Sequence, residues 1–359
     1  MSVTIPSNPI PYRSDVELVA IDEAETIHAL QVVFANMAKK VAEAEGHANR
    51  AVHAKGHALV RGKLTVLDNL PPQLAQGLFA QAGAYDVLLR WSSPPAEQLP
   101  DGVSTPRAVA MKVLDVPGER FDTAKQGKSQ DFLMVNGPAF NAPDPQTFLK
   151  NVKMLAATTN RSETGKKVIS TVMRGVEAAL EAVGAESGSL KSMGGEPQHH
   201  PLGETFFSQT PYRYGDYMAK LSLAPVAPAL LSLDGSTIPN EDDAQRNAIG
   251  QHFASQGGEW ELRVQLNVDL DKMPIENAAE AWPQELSPYI AVARVRLEPQ
   301  TSWDAGSQRL EDATAFDQWN CLVAHRPLGA VNRARREVMA VSRQFRSEFN
   351  RCPIHEPSA

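Results

Sequence analysis

Apolar residues in this chain recur with two periods, and the change from one to the other divides it into elements. Over residues 23–45, Ile27, Leu30, Phe34, Met37 and Val41 fall at three-and-four spacing, which predicts an amphipathic helix. From residue 57 the period becomes two. HALVRGKLTVL sets Ala58, Val60, Leu64 and Val66 on one side of a strand that Gly62 is expected to interrupt. YDVLLRWS sets Tyr85, Val87, Leu89 and Trp91 against Asp86, Leu88, Arg90 and Ser92, so Arg90 faces away from Trp91. RAVAMKVLDV and DFLMV read as further strands, and WELRVQLNVDL and YIAVARVRL alternate as half-buried antiparallel strands do.

Between the strand sets, PDPQTFLKNVKMLAATTN opens a helix with Asp144 and Pro145 at its first positions. KKVISTVMRGVEAALEAVG continues the helical run, and GAESGSLKSMGGEPQHHPLG reads as a loop. A last helix from Pro327 onward carries Val331, Arg335, Met339, Ser342 and Arg346 on one face. Strand and helix runs are segregated rather than alternating, so the expected fold class is α+β with one large sheet or barrel.

Composition removes several function classes. The 359 residues are enough to bury a core without disulfides, and 42% hydrophobic with 21% charged residues is ordinary for a globular protein. No apolar stretch is long enough to cross a bilayer, and the first residues lack the basic, apolar and small-residue pattern of a secretory signal, which predicts a cytoplasmic protein. Cys321 and Cys352 are too few for a disulfide framework or a thiolate metal site. A net charge of −7 argues against nucleic-acid binding. The basic stretch RARREVMAVSRQFR has an ordinary explanation as a solvated helix face.

The candidate chemistry starts at RAVHAKG, residues 50–56. A lone histidine beside a strand is most often structural. Zinc held by His53 and His57 is disfavoured, because Gly56 makes a helix poor there and no glutamate lies between them. His199 and His200 are adjacent and read as loop histidines.

RAVHAKG resembles the distal-histidine segment of haem catalases, and the resemblance continues in order along the chain. RWSS, with Arg90 and Ser92, is similar to the family's R-F-S segment, TPRAVAMKV to its D-P-R-G-F-A-V-K strand, and DFLMVNGPAFNAPDPQTF to the segment that ends in a haem-stacking phenylalanine. RREVMAVSRQFR, residues 335–346, is similar to the proximal helix. The resemblance is strong over residues 50–150, weak through the middle, and resembles most the short catalase-related haem proteins that lack the wrapping and C-terminal parts of large catalases. It implies an antiparallel β-barrel core with surrounding helices in a single domain: an N-terminal arm and helix over 1–49, the barrel with its helical insertion over 50–320, and the proximal helix and tail over 321–359.

By the same resemblance His53 is the acid–base group facing a peroxide, and Arg50, Arg90 and Arg346 hold haem propionates, for which guanidinium is suited. Phe148 stacks on the ring, and Val52, Ser92, Phe140 and Arg335 are further haem-contacting positions. Buried arginines of this kind are expected to need haem carboxylates as partners. Two positions depart from the family pattern. Met339 stands where the family has its iron-binding tyrosine, and a neutral thioether differs from an anionic ligand. The distal asparagine falls on Val135, and Asn136, one place later in a strand, belongs to the opposite face. Three arrangements follow: haem with Met339 or another residue as iron ligand, haem with an open proximal position, or a cavity that has lost haem. Weak catalase and peroxidase-like turnover of hydrogen peroxide or organic hydroperoxides is the implied activity, and a non-catalytic binding protein of catalase fold is the alternative. The implied partners are a small peroxide and, for assembly, a second copy of the chain in a homodimer.

Overall fold

The computed structural model describes residues 5–6, 8–122, 127–156 and 196–357. Strands β1 (Lys55–Val66), β2 (Ala84–Ser93), β3 (Ala108–Val113) and β4 (Gln130–Val135) form an antiparallel meander. They are followed by β5 (Phe206–Phe207), β6 (Tyr212–Tyr214), β7 (Tyr217–Pro225), β8 (Gly258–Leu266) and β9 (Ile290–Leu297). β9 returns to pair with β1, and β5 bridges β4 to β7, so eight strands close into an antiparallel barrel with β6 as a hairpin arm on β7. Closure leaves no continuous free edge. The expected α+β class with a catalase-like antiparallel barrel and surrounding helices is the observed one.

Alternation decides which side chains fill the barrel. Ala58, Val60 and Leu64 of β1, Val87, Leu89 and Trp91 of β2, and Trp260, Leu262 and Val264 of β8 share one core. Trp91 lies 6.0 Å from Trp260 between ring centres. The opposite face of β1–β4 carries Leu59, Leu88 and Ala110, with Leu133 packed alongside, under Phe316, Trp303 and Leu310. Gly62 does not interrupt β1. The strand runs through it, and its bare Cα lets the Arg296 carbonyl approach to 2.4 Å of where a Cβ would stand. The irregularity lies instead at His57, between Gly56 and Ala58.

Six helices surround the barrel among the described residues: α1 (Glu23–Glu45), α2 (Pro145–Ala156), α3 (Pro228–Leu231), α4 (Ala244–Phe253), α5 (Ala305–Ala313) and α6 (Ala330–Phe349). The periodic residues Leu30, Phe34, Met37 and Val41 of α1 pack with Leu149 and Val152 of α2 and Ala334 and Val338 of α6. Asp144 caps α2 as its sequence predicts, accepting from the Thr147 amide at 2.7 Å. The helical continuation over 166–184 and the loop up to residue 195 lie outside the described residues. The final helix starts at Ala330 rather than Pro327, because Gly329 with φ 87° sits against the Ile275 carbonyl and makes the turn into it.

Candidate functional site

The site lies on the outer face of β1–β4, where α5 and α6 cover the barrel wall. RAVHAKG is pinned on both sides: the Ala54 amide donates to Pro95 O at 2.9 Å and the Ala51 amide to Ser342 Oγ of α6 at 3.1 Å. His53 between them has φ 53°, a left-handed conformation that costs a non-glycine residue about 1–2 kcal/mol. Residues held this way cluster at functional sites. Its Nδ1 is buried and makes no hydrogen bond. Burial first, and then the Arg90 and Arg335 charges, push the imidazole pKa down to about 3, with the Ser92 backbone acting the other way. His53 is therefore neutral at any ordinary pH.

The arginines named by the sequence do meet, and they meet around a carboxylate of the chain itself. Arg50 donates to Glu311 Oε1 at 2.9 Å, and Arg90 donates to the same oxygen through Nε at 2.5 Å. Arg50 also reaches the carbonyls of Glu311 at 3.0 Å and Thr314 at 2.9 Å. Arg346 touches the carbonyls of Asp312 and Thr314, both at 3.4 Å. Burial acts to raise the Glu311 pKa, but the Arg90 and Arg50 charges outweigh it and hold the carboxyl below its ordinary value. The expectation that these arginines need haem for a carboxylate partner is thus overturned for Arg50 and Arg90, while Arg346 reaches only backbone carbonyls. Gly56, the last residue of RAVHAKG, is what admits the glutamate, since a Cβ there would stand 2.9 Å from both Glu311 oxygens.

Arg335 is in a different situation. It is packed over the Phe140 ring at 5.0 Å and donates to Thr210 Oγ1 at a long 3.4 Å, with no carboxylate partner among the described residues. Burial lowers its pKa. Phe140 in turn lies 5.0 Å from Phe148, which lies 6.2 Å from Phe34 of α1. Arg335, Met339, Ser342 and Arg346 share the α6 face toward RAVHAKG, which places the partly buried Met339 between the orphan Arg335 and the arginine triad. Ser92 is buried on the outer face and is paired across the sheet with Ala108, which is paired with Val135. Asn136 is turned away, held by Glu196 at 2.8 Å, Glu204 at 3.1 Å and the Arg107 amide at 2.9 Å. Val135 therefore occupies the wall position that the sequence comparison gave to an asparagine. Val52 is 38% exposed.

The basic stretch of α6 is divided: Arg336 is exposed, while two of its arginines are neutralised by acids of the chain. Arg333 pairs with Glu17, Glu23 and Glu276, and Arg343 with Asp317 at 3.1 Å. Among the described residues no group of three or more His, Cys, Asp or Glu side chains is placed to hold a metal ion. No helix there is long and apolar enough to cross a membrane.

Sequence reasoning missed Glu311, Arg246 and Trp303. Arg246 stacks on Trp303 at 4.8 Å and donates to Gly56 O at 2.9 Å, behind the triad. No periodicity or motif marks these residues, and only the crossing of α4 and α5 over β1 brings them together.

No protein-family model matches this sequence, and no curated protein matches it. Solved structures do. Catalase A from Saccharomyces cerevisiae superposes with a TM-score of 0.59 at 18% identity, over 87% of this chain and 64% of that one. A fungal catalase gives 0.59 at 16% over 89% and 64%, and a bacterial catalase 0.59 at 16% over 98% and 67%. The chain has the catalase fold. It spans 64% of the length of the yeast and fungal enzymes.

The residues present can be tested against the haem that this fold suggests. The neutral His53 with an unpaired nitrogen, the uncompensated Arg335 and the Phe140–Phe148 pair fit a flat anionic group. The arginine triad is of the chemistry that suits its acid groups, and in this structure Glu311 occupies the place between Arg50 and Arg90.

Proposed function

We propose that this chain is a haem-binding protein of catalase fold with peroxidase-like turnover of hydrogen peroxide or organic hydroperoxides and weak catalase activity. The observation that carries the reading is His53: a buried imidazole, neutral, with a free Nδ1 and a strained backbone, within reach of the charges of Arg90 and of Arg335, the latter without a carboxylate partner among the described residues. Haem would be held by Arg335, Phe140 and Phe148 with Val52 and Ser92 at its edge, by Arg50, Arg90 and Arg346 through its acid groups, and at the iron by Met339. When bound, it supplies the electrons for O–O cleavage.

The chain's own part is proton transfer and placement. A neutral His53 accepts a proton from one hydroperoxide oxygen and returns it to the other. Burial first, and then the Arg90 and Arg335 charges, make imidazolium costly, so His53 alone is a weak base. An anionic group beside these arginines would offset their field but not the burial, the larger of the two causes. Val135 offers no hydrogen bond to a bound peroxide, and Met339 brings no negative charge, which together favour slow peroxidase over catalase turnover.

A second reading has its own support. Glu311 in the triad and Met339 in α6 favour a catalase-fold protein that has lost haem and binds another ligand. Visible absorption of the purified chain with and without added haemin separates the two. The haem reading expects a Soret band in both the native chain and His53→Ala. It also expects the peroxide-dependent spectral change to be at least about tenfold slower in the variant. Absence of a band with haemin added removes the haem reading.

A further inference from the structure

We infer that Glu311 is a displaceable occupant of a carboxylate-binding site, with a second seat beside Arg246, and that an acid group of a ligand enters the arginine triad only as Glu311 swings out. The inference rests on the haem reading for the identity of that ligand, but not for the site itself.

The charge balance comes first. Arg50 and Arg90 bind the Glu311 carboxylate and Arg346 lies within reach of its charge, and Asp312 is the other acid whose charge reaches Arg50 and Arg346. Three cations against two anions leave the cluster short of negative charge. Arg346 has no carboxylate oxygen of its own, only two backbone carbonyls at 3.4 Å. A carboxylate with two free oxygens would serve all three guanidinium groups better than Glu311, whose contacts with Arg50 and Arg90 share the single oxygen Oε1.

The second seat is already formed. Glu311 also lines a cavity of about 90 Å³ whose wall includes Gly56, Trp303, Gln308, Asp312 and Arg246. The Nε of Arg246 is buried and has no hydrogen-bond partner. Its NH2 is fixed on Gly56 O at 2.9 Å, and its plane is held on Trp303. Arg246 is paired through NH1 with Asp243 at 3.5 Å, so the cavity offers Glu311 only the buried Nε, an unpaired N–H costly enough to give the carboxylate a reason for a second position. Gly56 serves both, because any Cβ there would meet Trp303 and Glu311 together.

The test uses the full chain and two probes that report different things. Sodium propionate is added to the native chain and to Glu311→Ala, and thermal unfolding is followed. Propionate is expected to raise the Tm of Glu311→Ala by a few degrees, as any ligand of the folded state does, and to leave the native chain nearly unmoved. A Tm of Glu311→Ala indifferent to propionate overturns the inference. If that variant does not fold, Glu311→Gln carries the same reading, because it keeps the hydrogen bonds but not the charge. Haemin is then titrated by its Soret band. Binding about tenfold tighter to Glu311→Gln than to the native chain is expected, and about threefold weaker to Arg246→Met, which removes the second seat. Equal haemin affinity in native and Glu311→Gln chains overturns the inference. Haemin binding to none of them, with the propionate response intact, removes the haem reading and leaves Glu311 as the occupant of a site for a different acid.

Discussion

Charged side chains that are fully buried set the energetics of this outer wall one residue at a time. Lys112 of β3 is one of them, donating to both Asp131 oxygens at 2.9 Å, to Ser129 Oγ at 3.0 Å and to Glu356 of the C-terminal tail at 3.1 Å. Burial pushes the Asp131 pKa up to about 7 against the pull of Lys112, so removing that lysine leaves an acid with little reason to ionise. Lys112→Met is expected to cost about 3–5 kcal/mol in urea unfolding at pH 8, as breaking a buried pair does. The double variant Lys112→Met, Asp131→Asn should regain more than half, because the introduced carboxamide would still accept from the Asp317 amide that Asp131 serves at 2.8 Å. A double variant no better than the single one would show that the pair contributes no mutual compensation. The same chemistry explains what was readable residue by residue. Arg50, Arg90, Arg335 and Arg346 lie in segments with a recognisable pattern, and the structure brings them to one wall. Glu311 has no such pattern, since its importance comes from a partner 221 positions away.

Elements form here for reasons of different strength. α1 and β8 show undisturbed periods, and α1 occurs where the sequence places it, whereas β8 ends at Leu266 and leaves Val268 and Leu270 of the alternating run beyond the strand. β7 is the strand that closes the barrel, and its sequence YMAKLSLAP hides it: the outward face carries Lys220 and Ser222, the inward face small or medium residues, so contrast between faces is low. Its Lys220 is buried all the same, donating to Glu280 O at 2.8 Å over the Trp282 ring. β5 has only two residues and gives no period at all. Closure on the other side depends on β1 and β9, joined over only Lys63–Val66 and Ala293–Arg296. Gly62 stands at the head of this short seam. A Cβ there would lie 2.3 Å from Leu297 Cδ2 and 2.4 Å from Arg296 O, and backbone cannot give way cheaply. Gly62→Ala should therefore destabilise the chain by about 1–3 kcal/mol in denaturant unfolding. Hydrogen exchange should show amides of β1 and β9 opening before those of β2 and β3. Uniform protection across all four strands would place the weak seam elsewhere.

At the scale of the molecule, the buried histidines set its response to acid. His53 and His325 are pushed down to about 3 and His200 to about 4, each chiefly by burial, and His57 is lowered in the same direction. In the unfolded chain all four take a proton near the ordinary value of 6.5. Their contribution to stability is thus complete above pH 6.5 and is lost as pH falls toward their folded values. Each proton bound only by the unfolded state changes the folded-to-unfolded ratio about tenfold per pH unit. Asp131 works the other way: with its folded pKa raised to about 7 from 3.8, it adds stability as pH falls through that interval, but by a single proton. The net direction is loss of stability in mild acid. His325 allows a clean measurement because it lies at the barrel end, away from the arginine triad, accepting from the Leu78 amide at 2.8 Å and ringed by Phe79, Phe132 and Tyr214. His325→Gln can accept the same hydrogen bond and cannot titrate. Unfolding free energy measured from about pH 7 to about pH 4 should fall with a slope one proton shallower in this variant than in the native chain. Parallel slopes would mean that His325 is protonated inside the fold, and the ring cluster around it would then have to be open to water.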